Sequence, residues 1–391
     1  MKFLGKKKLV TAITTAVLAM SVLVSGCGGS EDDANKIKLG VVSEMTGANA
    51  TYGNSIVNGI QLAVKEQNAK GGLLNKQIEI VVADDKSEPA EAANAMSKLI
   101  NQDNVKAVMG IFPSSNAIAA ANVSESSKIP FLAIGATNPK VTVNDDGTVK
   151  PHTFRVCFID PFQGTVGANF VYNELGAKTA AIYIDNSSDY AKGLAAAFKD
   201  AYTAAGGTVI DEESYLQKDT DFKSVLTKIK AAAPDVVYVP GYYEEVGKII
   251  KQARELGINI PFVGGDGWDS PKLAEIAGSE ALNNTYFTNH YSVDSSDETS
   301  KAFVENYNKE YGQNPDACAV LGYDGANLMI ETIAKAGVYD AAKITEILAA
   351  TKDFNAVTGK TSLNETHDAV KSAVILEYKD GKQTYRATVN P

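Results

Sequence analysis

This 391-residue chain is short of the groups around which most enzymes and metalloproteins are built. It has three histidines, His152, His290 and His367, and three cysteines, Cys27, Cys157 and Cys318. They stand apart from one another, and no His/Cys/Asp/Glu grouping has metal-ligand spacing. Each histidine therefore reads as a surface or hydrogen-bonded residue. There is no GxxxxGK[ST] phosphate loop, the run Gly264-Gly265-Asp266-Gly267 lacks GxGxxG spacing, and no GxSxG elbow occurs. These absences leave no visible catalytic constellation and imply neither an enzyme nor a cofactor. An excess of positive charge is also missing, with 37 basic residues against 47 acidic ones, which makes nucleic acid an unexpected partner. One long uncharged run stands out, over residues 9–24, and it is shorter than the roughly 20 residues a membrane span needs.

That run decides where the rest of the chain works. Lys2, Lys6, Lys7 and Lys8 precede it and Val24-Ser25-Gly26-Cys27 follows it. A basic segment, a short apolar segment and a small-residue cleavage site make a secretory signal, residues 1–26. Its end resembles a bacterial lipobox, in which the cysteine thiol is acylated and becomes the first mature residue. Cys27 is accordingly the expected lipidation site and membrane anchor; the alternative is an ordinary signal peptide with an incidental cysteine. Residues 27–36 then form the anchor and a polar, solvated tether. The mature chain is expected outside the cytoplasmic membrane, at the cell surface or in the periplasm, where it meets solutes and little ATP or NAD. Cleavage leaves 33 basic against 47 acidic residues, a net charge of −14. Cys157 and Cys318, far apart in sequence, are open to pairing or to lying buried as free thiols.

About 360 mature residues exceed what one hydrophobic core comfortably serves, so two domains are expected. From Ile37 short apolar strands alternate with amphipathic helices. Strands are expected at 37–43, 77–83, 105–110 and 131–134, with helices from near 54 and at 89–100 and 115–126. After a polar stretch at 144–150 the rhythm restarts. Strands at 153–158, 180–185, 208–215, 235–239 and 261–263 alternate with helices at 162–175, 190–205, 221–233 and 243–256. Repeated βαβ units build a parallel sheet covered on both faces, so the fold class is α/β with two doubly wound parallel-sheet lobes. Past residue 289 come two long helices, 298–311 and 317–336.

The groups that stand out suit a zwitterion. Ser114-Ser115 opens a helix directly after a buried strand, where free N–H groups and the helix dipole favour an anion; a plain helix cap is the competing role. Thr137, in Gly135-Ala136-Thr137-Asn138-Pro139, adds a hydroxyl at the same sheet edge. In the second half Tyr190 begins a helix, Tyr242 ends a strand, and Asp266 sits in a glycine-rich turn. An ionised aspartate there receives an ammonium group while tyrosines wall the site; the alternative is that they fill packing gaps and hold the turn.

The chain resembles the substrate-binding proteins of branched-chain amino acid ABC transporters, a type I periplasmic binding protein family. The likeness rests on an ordered set: MTG at 45–47, TYG at 51–53, NAKGG at 68–72, Ser114-Ser115, GATNP at 135–139, FRVCFIDPFQG at 154–164, PGYY at 240–243 and GGDG at 264–267. What it implies is a Venus flytrap of two lobes joined by a three-strand hinge. Lobe 1 would be residues 37–159 plus 290–372, and lobe 2 residues 160–289 plus 373–391. The resemblance assigns carboxylate binding to Ser114 and Thr137, a carbonyl near Ala136 to the ammonium group, and Asp266 as its acidic partner. Tyr190 and Tyr242 would close over the ligand, with Tyr52 as a first-lobe wall. The family's disulfide positions fall on Ser87 and Pro113, so that bridge is absent.

The implied function is capture of an L-amino acid, branched-chain or another small apolar type, by hinge closure in a monomer, and its delivery to an ABC-transporter permease. A ligand-sensing receptor module of the same fold is the alternative, and a hydrolase lacks a visible nucleophile and base. Phe112, beside Ser114, and Trp268, just after Asp266, would narrow the site toward alanine, valine or proline if both point inward.

Overall fold

The computed structural model describes residues 35–391; the signal peptide, Cys27 and most of the tether lie outside the described residues. The chain opens with β1 (Lys36–Ser43), α1 (Ala50–Ala69), β2 (Gln77–Asp84), α2 (Pro89–Asn101), β3 (Val108–Gly110), α3 (Ser114–Ser127), β4 (Phe131–Ala133) and β5 (Thr153–Arg155). These strands form one parallel sheet in the order β2-β1-β3-β4-β5. β1 sits inside it, and its last five residues are all buried, as a strand covered on both faces requires.

The second run is α4 (Asp160–Asn169), β6 (Thr179–Asp185), α5 (Asp189–Ala204), β7 (Thr208–Tyr215), α6 (Lys223–Ala232), β8 (Val236–Tyr238), α7 (Tyr243–Glu255), β9 (Phe262–Gly264), α8 (Pro271–Ala277) and β10 (Thr285–Asn289). α9 (Glu298–Tyr311), α10 (Ala317–Ala336) and α11 (Ala341–Ala349) follow. Then come β11 (Phe354–Ala356), β12 (Gly359–Leu363), β13 (Ala369–Val370), β14 (Ala373–Lys379) and β15 (Lys382–Val389). The second sheet runs β15-β14-β10-β9-β8-β6-β7. It is parallel from β10 to β7, while β14 and β15 add antiparallel at one edge. At the opposite edge β7 alternates exposed and partly buried residues and carries Asp211, Glu212 and Glu213, charges that discourage edge pairing.

Three segments cross between the sheets: the links from β5 to α4, from β10 to α9 and from β13 to β14. The strand expected at 153–158 stops at Arg155 because the chain there leaves the first sheet. α4 begins at Asp160, two residues earlier than the apolar pattern indicates, with Pro161 in its first turn. Arg155 pins two of the crossings together. Its buried guanidinium pairs with Asp368 at 2.7 Å and donates to Thr142 Oγ1 at 2.9 Å.

α10 lies against α1 with almost no side-chain spacing. A Cβ on Gly59 would stand 2.0 Å from the Ala319 carbonyl oxygen, and one on Gly322 would stand 2.4 Å from that of Ile56. Glycine at both positions lets the two backbones meet. Tyr339, ahead of α11, donates to the Lys38 carbonyl on β1, so this helical group caps the first sheet. Cys157 and Cys318 are both buried and free. Among the described residues, no helix is long and apolar enough to cross a membrane and no His/Cys/Asp/Glu group fits a metal ion.

Candidate functional site

The carboxyl ends of the two parallel sheets face one seam. From the first sheet, β3 delivers Phe112 and Ser114 and β4 delivers Thr137. Ser114 is the first residue of α3, whose cap position is Pro113, and its hydroxyl does not cap its own helix. Ser114 Oγ instead accepts from Asn138 N at 3.2 Å, tying the helix start to the loop that carries Thr137. From the second sheet, α5 presents Tyr190 on its first turn and β9 leads to Asp266 in a short 3-10 turn, Asp266–Trp268. Tyr242 does not end a strand. β8 stops at Tyr238, and Tyr242 is the extended residue capping α7.

The aromatic residues form one buried group across the seam. Tyr52 stacks on Phe112 with centroids 4.2 Å apart, Tyr242 stacks on Tyr190 at 5.2 Å, and Tyr242 meets Tyr52 edge-on at 5.8 Å. The Tyr52 hydroxyl donates to the Gly267 carbonyl and accepts from Tyr243 N at 3.2 Å, and Gly267 N donates to Tyr190 Oη at 3.2 Å. At the rim, Ser115 Oγ donates to Asp189 Oδ2 at 2.9 Å, Asn138 Nδ2 donates to the Asp189 carbonyl at 2.7 Å, and Lys218 pairs with Glu88 at 3.0 Å. Burial raises the pKa of Tyr52, Tyr190 and Tyr242 well above the usual phenol range, so all three are neutral donors.

Three residues missed by sequence reasoning complete the polar part. Asp266 is buried; Gln163 Nε2 donates to its Oδ1 at 2.8 Å, and His290 Nε2 lies 3.0 Å from its Oδ2. Burial lowers the His290 pKa, so the ring is neutral and its Nε2–H is the donor. The ring also stacks on Phe158 at 3.7 Å. Asp160, at the start of α4, is fully buried, and neither carboxylate oxygen receives a hydrogen bond from the protein. Its backbone N–H donates to the Thr137 carbonyl at 3.0 Å. Thr137 Oγ1 faces that carboxylate but makes no well-formed bond. Desolvation, then the charge of Asp266, pushes the Asp160 pKa well up. The one signal in the sequence was the Asp-Pro pair, which opens helices.

Ala136 is the exception among the sequence-derived residues. Its carbonyl accepts from Arg155 Nη1 at 2.7 Å and lies 3.4 Å from Cys157 Sγ, so it serves the buried framework and does not face the seam. Trp268 is likewise turned away. Its indole lies over Gly264, its Nε1 donates to the Val239 carbonyl at 3.0 Å, and it contributes to the core of the second sheet. Of two surface clefts, of about 670 and about 730 Å³, neither is lined by Ser114, Thr137 or Asp266, though His290 borders the first.

A family described as periplasmic binding protein matches residues 36–383. The chain belongs to the periplasmic binding protein family. A Leu/Ile/Val-binding protein, BraC3 of Rhizobium johnstonii, is 30% identical over 377 residues, covering 96% of this chain and 98% of that protein. Among solved structures, a leucine-binding protein LivK from Thermotoga maritima superposes with a TM-score of 0.86 at 37% identity, covering 91% of this chain and 99% of the other. A branched-chain amino acid transporter substrate-binding protein LivJ from Streptococcus pneumoniae, in complex with isoleucine, gives 0.86 at 38% identity, covering 91% and 100%. Over most of its length this chain is therefore similar to Leu/Ile/Val-binding proteins of ABC transporters, and these relatives are substrate-binding proteins, not enzymes. Its family indicates work outside the cytoplasm.

Proposed function

We propose that this protein is an exported lipoprotein, anchored through Cys27, that captures a branched-chain L-amino acid by closing its two lobes on it and hands it to an ABC-transporter permease. The observation carrying this reading is the polarity of the seam. One end holds the N-terminus of α3 with Ser114, where N–H groups and the helix dipole favour an anion. The other holds two buried acids, Asp266 and the donorless Asp160. A guest with a carboxylate at one end and an ammonium at the other satisfies both, with the Thr137 hydroxyl between them. Tyr52, Phe112, Tyr190 and Tyr242 enclose its apolar side chain. Ala136 is not part of this set.

Because Trp268 packs beneath the seam, Phe112 alone trims the volume, which favours a branched chain over alanine or proline. The isoleucine held by LivJ points the same way. Closure follows from differential contact, since the guest touches both lobes only when they meet.

The test is a thermal-shift panel of amino acids followed by calorimetry on the protein beginning after Cys27. Isoleucine, leucine and valine are expected to stabilise it most. Asp266→Asn, which removes a charge-assisted hydrogen bond worth about 1.5–3 kcal/mol, is expected to weaken binding about 10- to 150-fold. The reading fails if no amino acid shifts the melting temperature, or if Asp266→Asn leaves affinity unchanged.

A further inference from the structure

A second pair of buried acids lies beside the amino acid site without belonging to it. β1 and β2 pair in parallel with Ser43 opposite Asp84, so the residues one step beyond each strand, Glu44 and Asp85, emerge side by side. Both are fully buried. Glu44 Oε1 accepts from Phe112 N at 3.1 Å. Asp85 accepts from Ser87 N at 2.8 Å and from Asn116 Nδ2, on α3, at 2.8 Å. The two carboxyls are buried side by side at the ends of paired strands, and no N–H or O–H reaches Glu44 Oε2. Ionised carboxylates only accept, so two buried side by side favour a proton held between them.

What this pair holds is a strained corner. Gly110 has φ 130° and Ile111 has φ 65°, a left-handed conformation that a β-branched residue adopts only when its surroundings impose it. Two hydrogen bonds impose it here: Ile111 N donates to the Val42 carbonyl at 3.0 Å, and Phe112 N donates to Glu44. The corner then sets the Phe112 ring on Tyr52 and starts α3 at Ser114. A shift at Phe112 N therefore moves both the aromatic wall and the anion-favouring helix start.

We propose that Glu44 and Asp85 share one proton and act as positioning residues for the amino acid site, holding the corner at residues 110–114 so that ligand affinity falls when alkaline pH removes that proton. This inference rests on the site reading given above. Desolvation, then the Asp85 charge, pushes the Glu44 carboxyl well above the ordinary range, and desolvation raises Asp85 as well. The other ionisable groups facing the pair add no cation. Asp84 approaches from β2, where it holds Met45 N and Thr46, and the buried Cys318 thiol approaches from α10. Lys86, next in sequence, is turned to Glu91 at 3.0 Å.

Two variants separate the roles. Glu44→Gln keeps an acceptor for Phe112 N and puts a permanent N–H toward Asp85; Glu44→Leu removes both. Calorimetry with L-isoleucine from about pH 6 to about pH 9.5 is read as the wild-type to E44Q affinity ratio at each pH, because the ligand's own ammonium group titrates in the same range. Wild type and E44Q are expected to agree within about twofold at pH 7, with wild type falling behind by about tenfold at the alkaline end. E44L should bind weakly at every pH. Hydrogen exchange of the Phe112 amide in the ligand-free protein gives a readout independent of any ligand: protected in wild type and E44Q at neutral pH, fast in E44L and in alkaline wild type. A constant wild-type to E44Q ratio, or Phe112 exchange in alkaline wild type as slow as in E44Q, overturns the shared proton. A Phe112 amide as protected in E44L as in wild type overturns the positioning role. If wild type binds no amino acid, the site reading fails and the exchange data alone decide this one.

Discussion

Tyr52→Phe removes one oxygen atom from the seam and leaves everything else in place. The phenylalanine ring keeps the 4.2 Å stacking on Phe112. What is lost is a hydroxyl that donates to the Gly267 carbonyl and accepts from Tyr243 N, both on the opposite lobe. With the lobes together these two backbone groups are buried and left unpaired; with the lobes apart water satisfies them. Stranding a buried polar group costs about 1–3 kcal/mol, so with two stranded the closed form loses at least about 2 kcal/mol relative to the open form. If the ligand-free protein is mainly open, the apparent affinity for L-isoleucine falls by about 30-fold or more, most of it as faster dissociation. Calorimetry gives the affinity, and an unchanged melting temperature of the ligand-free protein shows that the lobes themselves are intact. A loss of less than about threefold, with that stability retained, would refute the reasoning, because the hydroxyl would then not help hold the binding-competent state.

Asp160→Asn is expected to act with opposite signs on stability and binding. The amide removes a buried carboxylate whose charge is disfavoured in the folded state, so the melting temperature at pH 8 should rise, while L-isoleucine binding weakens by about tenfold or more; lower stability with unchanged affinity would exclude Asp160 from the site. Cys27→Ser is expected to move the protein from the membrane fraction to the soluble extracytoplasmic fraction with ligand affinity intact, and retention on the membrane would remove the lipid anchor.

The strand and helix alternation was legible because its signal is local. Apolar runs of strand length between amphipathic helices locate β1, β2, α2, α3 and α5 to α7 to within two residues, whereas α4 ends at Asn169, before the expected 175, and gives way to a π-helical turn over Phe170–Glu174. β10 was not seen, because Thr285–Asn289 is short and buried on both faces without alternation, and its place is set by pairing with β9 and β14. The seam was legible where a residue's place follows from the end of a strand, as for Ser114 and Asp266. It was not legible where a role depends on a partner far along the chain. Gln163 and His290 meet Asp266 from 103 and 24 positions away. The Ala136 carbonyl was misassigned because its orientation is set by Arg155, whose guanidinium needs an acceptor in the interior. Trp268 appeared to flank the ligand only because it follows Asp266; the glycine at 264 makes room for the indole on the sheet side.

Under the closure proposed above, the acids along the seam would set what closing costs and what relieves it. Asp160 lies at a crossing between the lobes, with the Asp266 charge raising its pKa. Farther along, Asp269 of the second lobe accepts from Ala317 N at 2.8 Å, which sets its charge against Asp316. Burial, then the Asp269 charge, raises Asp316 to about 7. Separating the lobes returns both acids toward the ordinary carboxylate range, so the closed form binds more protons than the open one. The sign follows directly. A raised carboxyl contributes fully to the closed state below its ordinary pKa, and that contribution is lost as pH rises through the raised value. Acid pH is therefore expected to favour closure without ligand, and on the proposed site the ligand's ammonium would take the place of a proton at Asp160. Solution scattering on the ligand-free protein should show a radius of gyration that shrinks as pH falls from about 8 to about 5. Saturation with L-isoleucine should hold it at the compact value throughout, and Asp316→Asn should shift the ligand-free protein toward the compact form at the alkaline end. A ligand-free radius independent of pH would mean that these acids do not oppose closure, and the coupling between ligand charge and lobe closure would have to come from the aromatic and rim contacts alone.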